Sequence, residues 1–246
     1  MRIMIFDGKV AVVTGGAAGI GMECCFKLSQ KGITVIALDN NEEGAKAVAE
    51  KIISMGGNAE GLRLDVANVN EVRKIVELLV LKYSRIDYLI NSAGITQMIG
   101  IDEISENDWD RVMDIDLKGT FFMSQAVLEI MKKNKFGRIV NIGSVAGEVG
   151  GIVVGANYSA AKAGVICLTK SIAKHGAPYG VNVNTVSPGY IDTKMTKDLN
   201  QDVSQVPLGR KGTAEEVSDS VVFLCSDMAN YLTGVNLDIN GGLYMK

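Results

Sequence analysis

The chain is poor in proline, histidine and cysteine, with 3, 1 and 4 of them in 246 residues. One histidine and no Cys-x-x-Cys pair leave a zinc site without a ligand set, and no metal is expected. The four cysteines (Cys24, Cys25, Cys167, Cys225) are too few for a disulfide scaffold and read as small core residues. Charge of one sign is also lacking: 25 Lys plus Arg stand against 28 Asp plus Glu, a net charge of -3. That balance argues against general nucleic-acid binding, which needs clustered cations. Long apolar runs are missing as well. Met1 to Phe6 is broken at once by Asp7, Gly8 and Lys9, too soon for a secretion signal. Stretches such as Val221 to Cys225 fall far below the ~20 residues of a membrane span. A cytoplasmic, reducing setting with no membrane partner is expected.

What is present is a hydrophobic fraction of 47% with 22% charged residues, which excludes disorder. The length suits one α/β domain over residues 1–246. Short β-branched runs alternate with longer segments of helical period. The strands are expected at Val10 to Val13, Thr34 to Leu38, Gly61 to Leu64, Tyr88 to Ile90, Arg138 to Ile142, Val181 to Val186 and Asn236 to Ile239. Nearly continuous Val, Ile and Leu suits parallel strands covered on both faces. Helices are expected near Gly19 to Lys31, Glu42 to Met55, Val69 to Tyr83, Glu106 to Lys133, Asn157 to Gly176 and Ala214 to Ser226, the last opened by a Thr213–Glu216 capping box. The pattern gives a doubly wound parallel sheet of about seven strands with helices on both faces, a Rossmann fold. Two irregular stretches, Gly147 to Gly155 and Tyr190 to Val206, follow strand ends, where ligands bind in such sheets.

Thr14-Gly15-Gly16-Ala17-Ala18-Gly19-Ile20-Gly21 follows the first strand and opens the first helix. Its glycines permit a tight turn and close approach of the backbone to a pyrophosphate, which the helix N-terminus then binds. Asp39 ends the second strand, where a carboxylate can accept from the hydroxyls of an adenosine ribose. Tyr158 and Lys162 are four apart on a helix and share a face. An ammonium there favours the phenolate, so the tyrosine can pass a proton to or from an alcohol oxygen. Ser144, at a strand end, can bond the same oxygen.

The G-x-x-x-G-x-G spacing of that turn, Asn91-Ser92-Ala93-Gly94, Ser144, Tyr158-x-x-x-Lys162 and Pro188-Gly189-Tyr190-Ile191-Asp192-Thr193 together resemble the short-chain dehydrogenase/reductase family over nearly the whole length. The overall pattern is close to the 3-oxoacyl-[acyl-carrier-protein] reductase-like members. The resemblance implies that Ser144 orients the substrate oxygen, Tyr158 is the acid/base, and Lys162 tunes Tyr158 and holds the nicotinamide ribose. It also implies cofactor contacts at Gly15, Gly19, Ile20, Gly21, Asp39, Asp65, Val66 (by the adenine), Asn91, Ala93, Gly94, Pro188, Gly189, Ile191 and Thr193. Tyr190 and Met195, on the second irregular stretch, are candidates to touch substrate.

Three departures stand out. The Ser144-to-Tyr158 interval is one residue longer than the commonest family spacing. Asp116 stands where the family usually has an asparagine that helps relay protons. Tyr190 to Val206, 17 residues, is short for a substrate lid. The expected activity is NAD(H)-dependent interconversion of a secondary alcohol and a ketone. The alternative is reduction of a 3-oxoacyl thioester on an acyl carrier protein. Such reductases usually prefer NADPH, against which Asp39 counts, and acidic-carrier docking would draw on Arg111, Lys118, Arg210 and Lys211. A less favoured alternative is a degenerate NAD-binding scaffold. The two long apolar helices, with Phe121, Phe122, Val165 and Leu168, point to a homotetramer, or a dimer.

Overall fold

The computed structural model describes residues 8–151, 154–197 and 201–246. Seven parallel strands form the main sheet: β1 Val10–Thr14, β2 Thr34–Asp39, β3 Ala59–Arg63, β4 Tyr88–Asn91, β5 Gly137–Ile142, β6 Val181–Pro188 and, beyond a small ribbon, β9 Asn236–Ile239. Their spatial order is β3-β2-β1-β4-β5-β6-β9. The ribbon pairs β7 Ile191–Asp192 with β8 Gly212–Thr213. All seven expected strands are present. β1, β4 and β5 are buried at every position, as their unbroken apolar runs require, whereas the edge strands β3 and β9 are mostly half-buried.

Alternation along each strand sends side chains to two cores. Ala11 and Val13 point to the core shared with α1 (Gly19–Ser29), α2 (Glu42–Ser54) and α8 (Ala214–Cys225). Val10 and Val12 point to the core shared with α3 (Val69–Tyr83), α5 (Thr120–Asn134) and α7 (Ala156–Gly176). Between these lie the short α4 (Glu106–Val112) and α6 (Ala146–Val149). Asn41, Asn68, Ser105 and Thr213 cap α2, α3, α4 and α8 with their side chains, and the Thr213–Glu216 capping box forms as expected.

The segment expected as one helix from Glu106 to Lys133 is three: α4, a π-helical stretch at Met113–Gly119, and α5. The Gly147 to Gly155 stretch begins within α6, and its residues 152 and 153 lie outside the described residues. Cys24, Cys25 and Cys225 are buried as expected, but Cys167 is exposed on α7, facing away from the sheet. Among the described residues no helix is long and apolar enough to cross a membrane.

The chain leaves β1 toward β2 and β3, then returns to β4 on the other side. The loops after β1 and β4 therefore diverge and open a crevice at the carboxyl ends of the strands. Thr14 ties its two walls, its hydroxyl oxygen accepting from the Ser92 and Ala93 N–H groups at 3.2 Å each.

Candidate active site

The crevice is a cleft of about 270 Å³. Gly15, Gly19 and Ile20 form one end of it, with Asp39 beyond them, and Ser144, Tyr158, Lys162 and Asp116 form the other. Ala93, Gly94, Pro188, Gly189, Ile191 and Thr193 also line it, along with Met195.

The glycine turn is built for close approach. Gly15 has φ +66°, and a Cβ there would stand 2.8 Å from the Ala93 nitrogen. Gly21 packs its α-carbon against the Gly15 carbonyl, where a side chain would collide. Unlike the capped helices, α1 is preceded by Ala18, which offers no capping side chain. Its first N–H groups therefore face the cleft without a protein acceptor from the cap, and the residues present fit a pyrophosphate. Asp39 is half-buried beside this turn, its Oδ2 accepting from Ala17 N–H at 3.1 Å and its Oδ1 from Asn41 N–H at 2.9 Å.

At the other end, Ser144 follows β5 and is 9% exposed. Its Oγ accepts from the Ala146 N–H at 3.1 Å, which leaves the hydroxyl proton free to donate. Lys162, on the first half of α7, is buried; its Nζ donates to the Ile142 carbonyl at 3.0 Å and lies 3.1 Å from Asp116 Oδ2. The same Nζ is 5.5 Å from the Tyr158 ring centroid. Burial would lower the Lys162 ammonium, but the facing Asp116 and Tyr158 outweigh it and push its pKa above the ordinary lysine value. Burial likewise raises the Asp116 carboxyl, opposed by Lys162 and by the Ile95 N–H, which donates to Oδ1 at 2.9 Å.

Several of the expected residues have partners within the protein. The Asn91 amide is buried and donates to Ser124 Oγ at 3.0 Å and Asn141 Oδ1 at 2.8 Å, bracing strands β4 and β5. Asp65 Oδ1 turns back to the Ala67 N–H, and Val66 packs against Gly119. Gly21, Asn91, Asp65 and Val66 do not line the cleft. Tyr190 lines a second cavity with Leu208, Arg210 and Asn240, and Ile191 borders both cavities. Of the cations considered for docking, Lys118 is paired with Asp114 at 2.9 Å, and Arg210 makes a two-pronged contact with Glu216. Residues 198–200 of the Tyr190 to Val206 stretch lie outside the described residues.

Asn157 escaped the sequence reading. It is fully buried, accepts from the Tyr158 N–H at 2.9 Å, and donates to Gln97 Oε1 and the Asp108 carbonyl at 3.0 Å each. It thus fixes the start of α7, and with it Tyr158, against α4. Its signal was only a polar residue at a helix start.

Known proteins match the chain along its length. A family described as short chain dehydrogenase matches residues 9–204. The 3-oxoacyl-[acyl-carrier-protein] reductase of Escherichia coli (strain K12) is 40% identical over 98% of this chain and 100% of that protein. The protein of the same name from Aquifex aeolicus (strain VF5) is 43% identical over 97% and 98%. A solved structure described as the crystal structure of gox2181 superposes with a TM-score of 0.94 at 34% identity, covering 98% of this chain and 97% of that one.

Proposed function

The chain belongs to the short-chain dehydrogenase/reductase family and is an oxidoreductase with a nicotinamide cofactor, and from that premise we propose that it reduces the 3-oxo group of an acyl thioester to the hydroxyl. The observation that carries the reaction type is the meeting of Ser144, Tyr158 and Lys162 on one wall of the switch-point cleft. The substrate class is drawn from the full-length similarity to 3-oxoacyl reductases.

In this reading the nicotinamide, when bound, supplies the hydride. Gly15, Gly19 and the N–H groups of α1 hold the pyrophosphate, and Asp39 accepts from the adenosine ribose. Ser144 Oγ–H donates to the substrate carbonyl oxygen and orients it; the Ala146 N–H on the same Oγ fixes the direction of that donation. The Tyr158 hydroxyl gives its proton to the oxygen as the carbon is reduced, so that C=O becomes CH–OH. Lys162 stabilises the phenolate left behind. Asn157 and the Gln97–Asp108 pair keep Tyr158 in place through the chemical step.

A second reading, NAD(H)-dependent interconversion of another secondary alcohol and ketone, is favoured by Asp39 and by the neutralised state of Lys118 and Arg210. The two separate on a panel of 3-oxoacyl thioesters, simple ketones, sugars and polyols, each with NADH and NADPH, followed by absorbance. The proposal expects the highest kcat/KM on a 3-oxoacyl thioester. Turnover confined to other ketones or alcohols would replace it with the second reading.

A further inference from the structure

Asp116 departs from the asparagine usual in the family and, at 0% exposure, is more buried than Lys162, the cation it faces across the cleft wall. The π-helical stretch places it there: the wider turn at Met113–Gly119 interrupts the run between α4 and α5, a feature often found at functional sites. Two elements hold the carboxylate. The loop after β4 gives the Ile95 N–H to Oδ1, and its Gly94 lies so close that a Cβ there would stand 2.9 Å from Oδ2. From α7 comes Lys162, with Tyr158 one turn earlier. α5 brings no charged group to the pair: its Thr120 hydroxyl donates to the Asp116 backbone carbonyl at 2.7 Å. Among the described residues, the titratable groups acting on this pair are thus Asp116, Lys162 and Tyr158.

The contact is charge against charge. Oδ2 meets the ammonium at 3.1 Å, and no hydroxyl or amide shares its charge. A neutral amide at this place would leave the full ammonium field on the tyrosine. We infer that Asp116 is a positioning residue that holds Lys162 as one half of a buried ion pair and cancels part of the positive field Lys162 directs at the Tyr158 oxygen. The loop after β4 is drawn into the same device, because Oδ1 fastens Ile95 while Oδ2 faces Lys162.

The kinetic test rests on the Ser-Tyr-Lys reading above. It compares pH profiles of kcat/KM for alcohol oxidation in wild type and Asp116→Asn. Oxidation needs the phenolate, so the rising limb should move about one pH unit lower in the variant. A second measurement needs no turnover: ultraviolet titration of tyrosine ionisation in the cofactor-free protein. Subtracting the trace of Tyr158→Phe, made in each background, isolates Tyr158. Its ionisation should begin at lower pH with Asn at position 116. If Asn is not tolerated, Asp116→Ser takes its place in both experiments. An unmoved signal would overturn the inference. So would an upward shift, which would mean that the main effect of Asp116 is to keep Lys162 protonated. If no alcohol or ketone is turned over, the reaction assignment fails while the titration still decides the role of Asp116.

Discussion

Asp39 Oδ2 accepts a hydrogen bond at 3.1 Å from the backbone N–H of Ala17, inside the glycine turn. Its other oxygen is held by Asn41 N–H at 2.9 Å. Both contacts are to main chain, so swinging the carboxylate aside would break two hydrogen bonds, the one from Ala17 part-buried. A 2'-phosphate placed beside it meets like charge, and neither Ala18 nor Asn40 offers a cation to offset that. NADH is therefore expected to be preferred over NADPH, by on the order of 1–3 kcal/mol in kcat/KM. Asp39→Ser should remove most of the discrimination. Kinetics with both cofactors check this, and equal values in the wild type would contradict it.

Gly94 offers a sharper probe of the reacting end. Its α-carbon packs on the Asp116–Lys162 pair, and a Cβ would stand 3.3 Å from Lys162 Nζ as well as 2.9 Å from Asp116 Oδ2. Neither partner can retreat freely, since Lys162 is tied to Ile142 and Asp116 to Ile95. Gly94→Ala is expected to lower kcat at least about tenfold by displacing Lys162, and to cost about 1–3 kcal/mol of stability as an overpacked site. Steady-state kinetics and urea unfolding measure the two effects. A variant with wild-type kcat would show that the wall yields without moving Lys162.

Much of this site was legible because its chemistry is local in sequence. The glycine turn, the Asp39 strand end and the Tyr158–Lys162 pair each occupy a few residues, and buried parallel strands announce themselves as unbroken apolar runs. Direction was harder to read. Tyr190 and Ile191 are neighbours in sequence, yet of the two only Ile191 lines the reaction cleft. Asn91 commits its amide nitrogen to Ser124 and Asn141, contacts 33 and 50 residues away that no local pattern reveals. The π-helical turn left no mark either, since the residues of Met113–Gly119 suit an ordinary helix equally well. Cys167 shows the same limit: residue type predicts burial on average, whereas its place on α7 decides it.

Away from the cleft, Asp87 stands at the opposite end of the sheet, just before the central strand β4. Its carboxylate is 2% exposed and gathers Arg85 at 2.7 Å, Lys9 at 3.2 Å and the Val10 N–H at 2.9 Å. Lys9 also lies 3.9 Å over the Phe136 ring. Asp87→Ala would leave a buried N–H without an acceptor and two cations unmatched. Because both cations reach solvent, the loss should be about 2–3 kcal/mol, below that of a fully buried pair. Chemical denaturation reads it directly, and catalytic constants of the folded fraction should not change.

Self-association is expected from the outer surface of α5 and α7. Val165 is buried within its own chain, but Phe121, Phe122 and Leu168 are only half-buried, and Cys167 is exposed beside them. Apolar side chains left partly open on two long neighbouring helices favour self-association. A homotetramer is expected, in which pairing of α7 would shield Cys167. Light scattering at micromolar concentration gives the mass, and a thiol reagent reports whether Cys167 reacts only on dilution. A monomer by scattering would refute the expectation.

Tyr158→Phe separates proton transfer from binding. The variant loses one oxygen and almost no volume, and the ring keeps its place because Asn157 holds the backbone of this residue rather than its hydroxyl. The cofactor contacts proposed at Gly15, Gly19 and Asp39 lie at the other end of the cleft and should be untouched. A positioned acid/base is worth roughly 10²–10⁴ in rate, so turnover should fall by that factor while NADH affinity, read by fluorescence titration, stays within about twofold of wild type. Ser144→Ala should also lower turnover, but it should raise KM as well, since Ser144 donates to the carbonyl already in the bound substrate. Near wild-type turnover in Tyr158→Phe would mean that the proton comes from another group. The buried Lys162 would be the first to test, since its Nζ faces the same wall of the cleft.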